Sequence, residues 1–118
     1  MKTIDFNEIL GLIQADQLVL CIDVREPYRQ ATLDAGGWKI PYNEIARHAE
    51  LLLPFRDCVT VVCCLRPSGS QRTAIAAGAL RKLGFSVVRD LKNGLYQGWI
   101  QKAGRKVKLP APAQTVPV

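Results

Sequence analysis

Three short apolar runs, separated by longer segments with helical character, constrain the fold of this chain more than any other feature of its sequence. The runs are LVLCID at residues 18–23, VTVVCC at 59–64 and FSVVRDL at 85–91. The first two are nearly continuous in their apolar residues, as strands buried on both faces of a sheet are. Strands that alternate with helices form parallel sheets. The sequence therefore predicts an α/β fold, a central parallel sheet with helices on both faces.

Helical patterns fill the chain before, between and after these runs. Asp5 and Glu8 have the spacing of a capping box, and the apolar residues that follow recur on one helical face. Gly84 is suited to the C-terminal cap of an alanine-rich helix, and Pro54 limits the continuation of another helix. The predicted helices are DFNEILGLI (residues 5–13), NEIARHAELLL (43–53), QRTAIAAGALRKL (71–83) and LYQGWIQKA (95–103).

The chain of 118 residues has the length of one domain. From Lys106 onward the sequence reads KVKLPAPAQTVPV, which is rich in proline and has no periodicity. Such a composition is typical of a linker or tail. We therefore expect a single domain over residues 1–105 and a flexible tail over 106–118.

Charge and hydropathy exclude several classes of partner. The net charge is +6, but the basic residues are scattered, and aromatic residues do not alternate with them as they do in nucleic-acid-binding proteins. The apolar runs are far shorter than the roughly 20 residues that a membrane-spanning helix needs. We expect no nucleic-acid or membrane partner, and instead a small anionic substrate. Residues 1–10 carry acidic residues where a signal peptide would be apolar, so we expect a reducing, cytoplasmic location.

The four cysteines do not form a metal-binding pattern. Cys21, Cys58, Cys63 and Cys64 include no C-x-x-C pair, and the chain has one histidine, so we expect no metal site. Cys63 would point to the opposite sheet face from its neighbour Cys64, because successive side chains alternate along a strand. Core packing is therefore the expected role of Cys63, and core or near-core positions are expected for Cys21 and Cys58.

Cys64 differs from the other cysteines because it ends a predicted strand. Ligands of open parallel sheets bind beyond the carboxyl ends of the strands. The next helix is expected to begin near Ser70, so its free N–H groups would face the loop after Cys64. Arg66 and Arg72 add positive charge, and such surroundings stabilise a thiolate and hold an anion. The residues alone leave two interpretations open: a nucleophilic thiol, or a buried structural cysteine before an ordinary capping loop.

Several segments resemble the rhodanese family in their order and spacing. LVLCIDVREPYRQ resembles the first strand of that family and its D-V-R-E segment, and AGGWKIPYNEI is similar to its PGAxNIPxxEL turn. VVCC resembles the strand that ends in the nucleophilic cysteine, and QRTAIAAGALRKLGF resembles the helix after the active loop. LKNGLYQGW is similar to the family's LxGGxxxW ending. These segments cover nearly all of the predicted domain.

The resemblance implies a rhodanese-like three-layer fold and a sulfurtransferase activity. Cys64 would take a sulfane sulfur from a small anionic donor such as thiosulfate and carry it as a persulfide. The acceptor would be cyanide or a thiol, including a protein thiol, and no cofactor is implied. Asp23 and Arg25 would support the site. The residues that would line the donor site are Arg66, Ser68, Gly69, Ser70, Arg72 and Thr73.

The loop after Cys64 departs from the patterns of the family in its length. Sulfur-transferring members usually show C-x4-R followed by serine or threonine, and the related phosphatases and arsenate reductases show C-x5-R. The segment from Cys64 to Arg72 reads C-x7-R here. Two alternatives therefore stay open: a catalytically weak or inactive binding or regulatory module, and arsenate-reductase or phosphatase chemistry on the same loop.

Overall fold

The predicted strands form the centre of a parallel sheet. The computed structural model describes residues 1–32, 34–65, 70–103 and 108–112. The sheet has five parallel strands in the order β1-β5-β4-β2-β3. The strands are β1 (Thr3–Ile4), β2 (Val19–Asp23), β3 (Trp38–Lys39), β4 (Val59–Cys63) and β5 (Val88–Leu91). The three central strands are those that the apolar runs predict, whereas the two-residue edge strands β1 and β3 were not predicted.

The register of the sheet brings the carboxyl ends of its central strands together. Asp23, the last residue of β2, is aligned with Cys63, the last residue of β4. Val62 of β4 is aligned with Asp90 of β5. Because the strands are parallel, the loops that follow them emerge at one edge of the sheet. This edge is where parallel sheets bind ligands.

Helices cover both faces of the sheet. They are α1 (Phe6–Gln14), α2 (Pro27–Thr32), α3 (Ala49–Leu52), α4 (Gln71–Lys82) and α5 (Gln101–Ala103). The capping box predicted at Asp5 and Glu8 is present at the start of α1. Helix α4 begins at Gln71 with Ser70 as its N-cap, as the sequence predicts. None of the helices in these described ranges is long and apolar enough to cross a membrane.

Two of the predicted helices are less regular than their sequences suggest. The segment predicted over residues 43–53 consists of the 3-10 turn Ile45–His48, helix α3 and the 3-10 turn Leu53–Phe55. Pro54 lies in the last of these turns, where it cannot donate the hydrogen bond of a continued α-helix. The segment predicted over 95–103 contains the π-helical turn Tyr96–Ile100 before α5. Helix α2 was not predicted, because six residues are too few to show a periodicity.

Each face of the sheet has its own apolar core. On one face, α3 and α4 pack on β2 and β4, and this core includes Trp38, Ile45 and Leu80. On the other face, α1 packs against the π-helical turn, which contains Trp99. This second core contains both Cys21 and Cys63. The three-layer α/β architecture predicted from the sequence is confirmed. The core positions expected for Cys21 and Cys63 are confirmed as well, and Trp38 and Trp99 are also buried.

The prediction of a free tail from residue 106 is wrong for residues 108–112, which dock against the sheet. Leu109 is buried, and its amide donates to the Ala35 carbonyl at 2.8 Å. The Pro110 carbonyl accepts from the Cys21 amide at 3.1 Å, and the Pro112 carbonyl accepts from the Trp38 indole at 3.3 Å. These contacts join residues far apart in the chain, so local composition could not reveal them. The rest of the predicted tail, 106–107 and 113–118, lies outside the described residues.

Two glycines allow close backbone approaches beside this docked segment, residues 108–112. Gly36 and Gly37 have φ angles of 85° and 72°, which favour glycine over any residue with a side chain. A Cβ on Gly36 would lie 2.6 Å from the Lys108 Cβ, and a Cβ on Gly37 would lie 2.8 Å from the Cys21 carbonyl oxygen. Gly36 therefore makes room for the C-terminal segment, and Gly37 makes room for the backbone of β2.

Candidate active site

Cys64 is the residue that follows β4, at the edge of the sheet where the strands end. Its backbone is fixed by the Leu95 amide, which donates to the Cys64 carbonyl at 2.8 Å. The Val24 amide donates to the preceding carbonyl, that of Cys63, at 3.0 Å. Cys64 is nearly buried, with 5% of its surface exposed. Its position is thus set by backbone contacts with the segments that follow β2 and β5.

Cys63, next in the chain, has a different environment from Cys64. It belongs to the core that contains Cys21, and it is fully buried. Burial raises the pKa of the Cys63 thiol well above its ordinary value, and a hydrogen bond with Cys21 raises it further. Cys58 is half-buried, and desolvation followed by the nearby Asp57 charge raises the pKa of its thiol. Neither thiol is activated for nucleophilic attack at neutral pH.

The first turn of α4 is held in place by hydrogen bonds of Ser70 and Thr73. The Ser70 Oγ accepts from the Thr73 amide at 3.2 Å, which is the N-cap contact of the helix. The buried Thr73 hydroxyl lies 3.0 Å from the Ser70 carbonyl oxygen and 3.2 Å from Asp90 Oδ2. Asp90 belongs to β5, so these contacts anchor the start of the helix to the sheet.

Arg72, also in the first turn of α4, forms an ion pair with Glu26. The Arg72 Nε and Nη2 donate to Glu26 Oε1 at 2.7 and 2.6 Å. This hydrogen bonding raises the pKa of the Arg72 guanidinium above its ordinary value, and the negative charge of a Cys64 thiolate acts in the same direction. Cys64 is therefore near enough to Arg72 for the charge of a thiolate to act on the guanidinium. The Arg72 Cζ lies over the Tyr42 ring, 5.8 Å from its centroid.

Glu26 and Tyr42 were not recognised as site residues from the sequence. The hydrogen bond from Arg72 lowers the pKa of the Glu26 carboxyl, so it stays ionised. Its second oxygen, Oε2, lies 3.4 Å from the Arg29 Nε. Glu26 does belong to the D-V-R-E segment noted above, which was a usable clue. Nothing in the sequence around Tyr42 indicated its contact with Arg72.

Asp23 and Arg25 form a buried ion pair at the end of β2. The Arg25 Nε and Nη2 donate to the two carboxylate oxygens of Asp23 at 2.9 and 2.7 Å, which is a bidentate geometry. The Gln30 amide nitrogen donates to the Asp23 carbonyl at 2.9 Å and so links α2 to the same strand end. Both charged residues are almost completely buried. They shape the strand end beside Cys63 and are not available to solvent.

The remaining predicted site residues, Arg66, Ser68 and Gly69, lie outside the described residues. Within the described residues, Ser70, Arg72 and Thr73 lie at the start of α4, Cys64 follows β4, and Asp23 and Arg25 lie at the end of the neighbouring strand β2. Across the described ranges, no group of three or more histidine, cysteine or acidic side chains has the arrangement of a metal site. Chemically, the arrangement combines a thiol at a strand end, the N-terminus of a 12-residue helix and a guanidinium, which suits attack on an anionic electrophile.

Comparison with known proteins gives a consistent result at the level of the fold. The sequence matches no family model and no curated relative. Among solved structures, a rhodanese-related protein from Thermoplasma volcanium is 27% identical, with a TM-score of 0.63 over 87% of this chain and 94% of that chain. A human single-domain sulfurtransferase is 20% identical, with a TM-score of 0.64 over 88% of this chain and 99% of that one.

A longer protein also contains a region similar to this chain. The thiosulfate sulfurtransferase from Pseudomonas aeruginosa is 25% identical, with a TM-score of 0.64. The match covers 86% of this chain but 19% of the Pseudomonas chain. The likeness therefore concerns one region of that protein and not its whole length.

Proposed function

Because this chain is a rhodanese-like protein, we propose that it is a sulfurtransferase that carries a sulfane sulfur on Cys64 as a persulfide. The observation that carries the proposal is the position of Cys64, which follows β4 at the edge of the sheet where the strands end, ahead of α4 with Arg72 in its first turn. A sulfurtransferase needs a thiolate next to groups that bind an anionic donor. Structural neighbours that are named sulfurtransferases support the same class of activity.

The proposed reaction has two displacement steps. In the first, the Cys64 thiolate attacks the outer sulfur of thiosulfate, an S–S bond forms on Cys64, and sulfite leaves with the electron pair of the broken S–S bond. In the second, an acceptor thiolate or cyanide attacks the outer sulfur of the persulfide. The Cys64 thiolate then leaves with its electron pair, which returns the protein to its starting state. No metal or organic cofactor takes part in either step.

The other residues of the site bind and stabilise the anions. Arg72 neutralises charge on the donor, and backbone N–H groups at the start of α4 face the developing negative charge. Ser70 and Thr73 keep this helix start in place through their hydrogen bonds. We propose that Arg66, Ser68 and Gly69 complete the donor site. Asp23 and Arg25 support the neighbouring strand end.

The physiological setting is also part of the proposal. We propose a small anionic sulfur donor, a thiol acceptor that includes protein thiols, and a cytoplasmic location. A reducing compartment suits four cysteines that are free in the structure.

A second candidate function is a binding or regulatory module without turnover. Two observations favour it: the C-x7-R loop is three residues longer than C-x4-R, and Arg72 is already paired with Glu26. An arginine neutralised in this way binds a donor anion less strongly than a free arginine. Phosphatase or arsenate-reductase chemistry is the third and less favoured candidate, because the loop is two residues longer than C-x5-R.

Mass spectrometry of the intact protein after exposure to thiosulfate tests the proposal. We expect wild type to gain the mass of one sulfur atom and Cys64→Ser to gain none. Turnover with cyanide or a thiol acceptor should be measurable, and hydrolysis of an aryl phosphate should be negligible. If Cys64 never acquires sulfur, the binding-module function is favoured, and if phosphate hydrolysis is faster than sulfur transfer, the phosphatase function is favoured.

A further inference from the structure

Glu26 is a charged residue of the site that the proposed function leaves without a role. Its carboxylate carries a negative charge beside the arginine that would bind an anionic donor. A site that only had to attract anions would not place a carboxylate there, because the two negative charges repel. The presence of Glu26 therefore calls for a specific explanation.

The geometry of the ion pair shows what Glu26 does to Arg72. The Nε and Nη2 of Arg72 both donate to the same oxygen, Glu26 Oε1, at 2.7 and 2.6 Å. Two contacts to one edge fix the plane of the guanidinium, and the Arg72 Cζ lies over the Tyr42 ring. The Nη1 group of Arg72 has no hydrogen-bond partner or ion pair within residues 1–32, 34–65, 70–103 and 108–112. The Arg72 side chain is 33% exposed, so solvent reaches it.

Glu26 is itself held in place from a second side. Its Oε2 lies 3.4 Å from the Arg29 Nε, in an i,i+3 ion pair at the start of α2. The Glu26 side chain is 22% exposed, which is well below the exposure of an ordinary surface carboxylate. The carboxylate therefore lies between two arginines, Arg72 in the first turn of α4 and Arg29, and within the described residues only its Oε1 accepts hydrogen bonds.

We propose that Glu26 is a positioning and selectivity residue for the anionic donor. It orients Arg72 so that the Nη1 edge is presented to the donor, and its negative charge weakens the attraction of Arg72 for anions. The site then binds the donor only moderately, which favours release of an anionic product. This inference rests on the proposed sulfurtransferase function. The effect that it describes, however, is that of Glu26 on the binding of anions by Arg72.

Two substitutions separate the orienting effect from the charge effect. Glu26→Gln removes the charge and retains an oxygen that accepts from Arg72, whereas Glu26→Ala removes both. For Glu26→Gln we expect the KM for thiosulfate to fall by about threefold or more, with kcat within about twofold of wild type. For Glu26→Ala we expect kcat to fall about tenfold below that of Glu26→Gln, because a charge-assisted contact that orients Arg72 is lost.

A matched control is available in Glu44. It forms an i,i+3 ion pair with Arg47 at 2.6 Å, and Arg47 is 76% exposed. Glu44→Gln and Glu44→Ala therefore make the same changes of charge and shape in an arginine pair outside the site. Both control variants should keep the KM and kcat of wild type. An equal fall in KM for Glu44→Gln would show a general charge effect and would overturn the inference.

A measurement that does not depend on sulfur transfer distinguishes this inference from the proposed function. We would measure the rates at which iodoacetate, an anion, and iodoacetamide, a neutral reagent, alkylate Cys64, identified by peptide mapping. The ratio of the two rates should rise about threefold in Glu26→Gln and stay unchanged in Glu44→Gln. If the ratio rises although wild type never acquires sulfur, the inference stands and the proposed function fails. An unchanged ratio, or a Cys64 that reacts with neither reagent, would overturn the inference.

Discussion

Cys63 and Cys64 are adjacent in the chain, yet Cys63 lies in the core beside Cys21, whereas Cys64 lies past the end of β4, where its carbonyl accepts from the Leu95 amide. We expect Cys63→Ala to acquire one sulfur from thiosulfate as wild type does. Burial and the hydrogen bond with Cys21 raise the pKa of the Cys63 thiol, so it stays protonated at neutral pH and does not compete for the donor. Peptide mapping of the sulfur-loaded protein is the measurement. Sulfur found on Cys63 of wild type would contradict the prediction.

Leu109 should contribute to stability although it lies in a segment with the composition of a linker. Its side chain is 4% exposed and packs in the core around Trp99. Leu109→Ala should lower the free energy of unfolding by about 2–4 kcal/mol, as buried leucine truncations do. Leu18→Ala, at a leucine that is 50% exposed, is the control and should change stability much less. Urea denaturation of both variants gives the comparison, and equal losses would show that residues 108–112 are not docked in solution.

Substitution by alanine should change the stability of the protein in opposite directions at Gly36 and at Gly78. Gly36 has a φ of 85°, and a Cβ there would lie 2.6 Å from Lys108 Cβ, so Gly36→Ala should destabilise the protein by about 1–3 kcal/mol. Gly78 lies within α4, and a Cβ there has no atom within 4 Å. Gly78→Ala should stabilise by about 0.5–1 kcal/mol, because alanine has the higher helix propensity. Thermal unfolding of the two variants tests whether the first is less stable and the second more stable than wild type.

The ion pairs of Asp34 should make a small, pH-dependent contribution to stability. The hydrogen bond from Lys39, followed by that from the Gly36 amide, lowers the pKa of Asp34 from 3.8 to about 2. A pKa that is lower in the folded state contributes stability above the unfolded value, and this contribution is lost as the pH falls through the folded value. Asp34 is 58% exposed, so we expect about 0.5 kcal/mol or less.

The variant Asp34→Asn tests the direction of this pH dependence of stability. At neutral pH its melting temperature should lie slightly below that of wild type. The difference should shrink below about pH 4 and vanish only below about pH 2, as Asp34 of the wild type becomes protonated. A difference that persisted unchanged in acid would mean that the substitution acts through some other contact.

The length of the loop should limit sulfur transfer. Deletion of residues 67–69 converts C-x7-R into C-x4-R and brings Ser70 and Arg72 three residues closer to Cys64 along the chain. In the shortened loop the N–H groups of Ser70 and Gln71 would take the places that the proposed donor site gives to Ser68 and Gly69. We expect turnover with thiosulfate to rise, because convergent N–H groups stabilise one sulfur atom best when the loop is short. Steady-state kinetics of the deletion variant beside wild type is the measurement. A fall in turnover with the fold retained would show that the longer loop is itself functional.

The parts of the fold that the sequence predicts are those with strong local patterns. Strands β2 and β4 have continuous apolar runs, α1 has a capping box and an apolar face, and α4 has an alanine-rich sequence with Ser70 before it. Each pattern describes residues that are near in sequence, so it needs no knowledge of the rest of the molecule. The same holds for Cys64, whose position follows from the end of β4.

The parts that the sequence does not predict depend on contacts between distant segments. The edge strand β1 is two residues long and exists because it pairs with β5. The pairing of Glu26 with Arg72 joins residues 46 positions apart. The docking of Leu109 depends on the backbone of Gly36 and Gly37, and the composition of residues 106–118 indicates the opposite. No local pattern carries this information.

The docked C-terminal segment also has a consequence for self-association. The Cys21 amide, the Ala35 carbonyl and the Gly37 amide all bond to residues 109–110. If the segment were removed, these backbone groups would form an open edge that could pair with a strand from another molecule. Pro110 and Pro112 lack the N–H groups with which an ordinary strand would extend such pairing. The segment therefore protects the sheet against intermolecular β-pairing, and chains that end before Leu109 should aggregate more readily than the full-length protein.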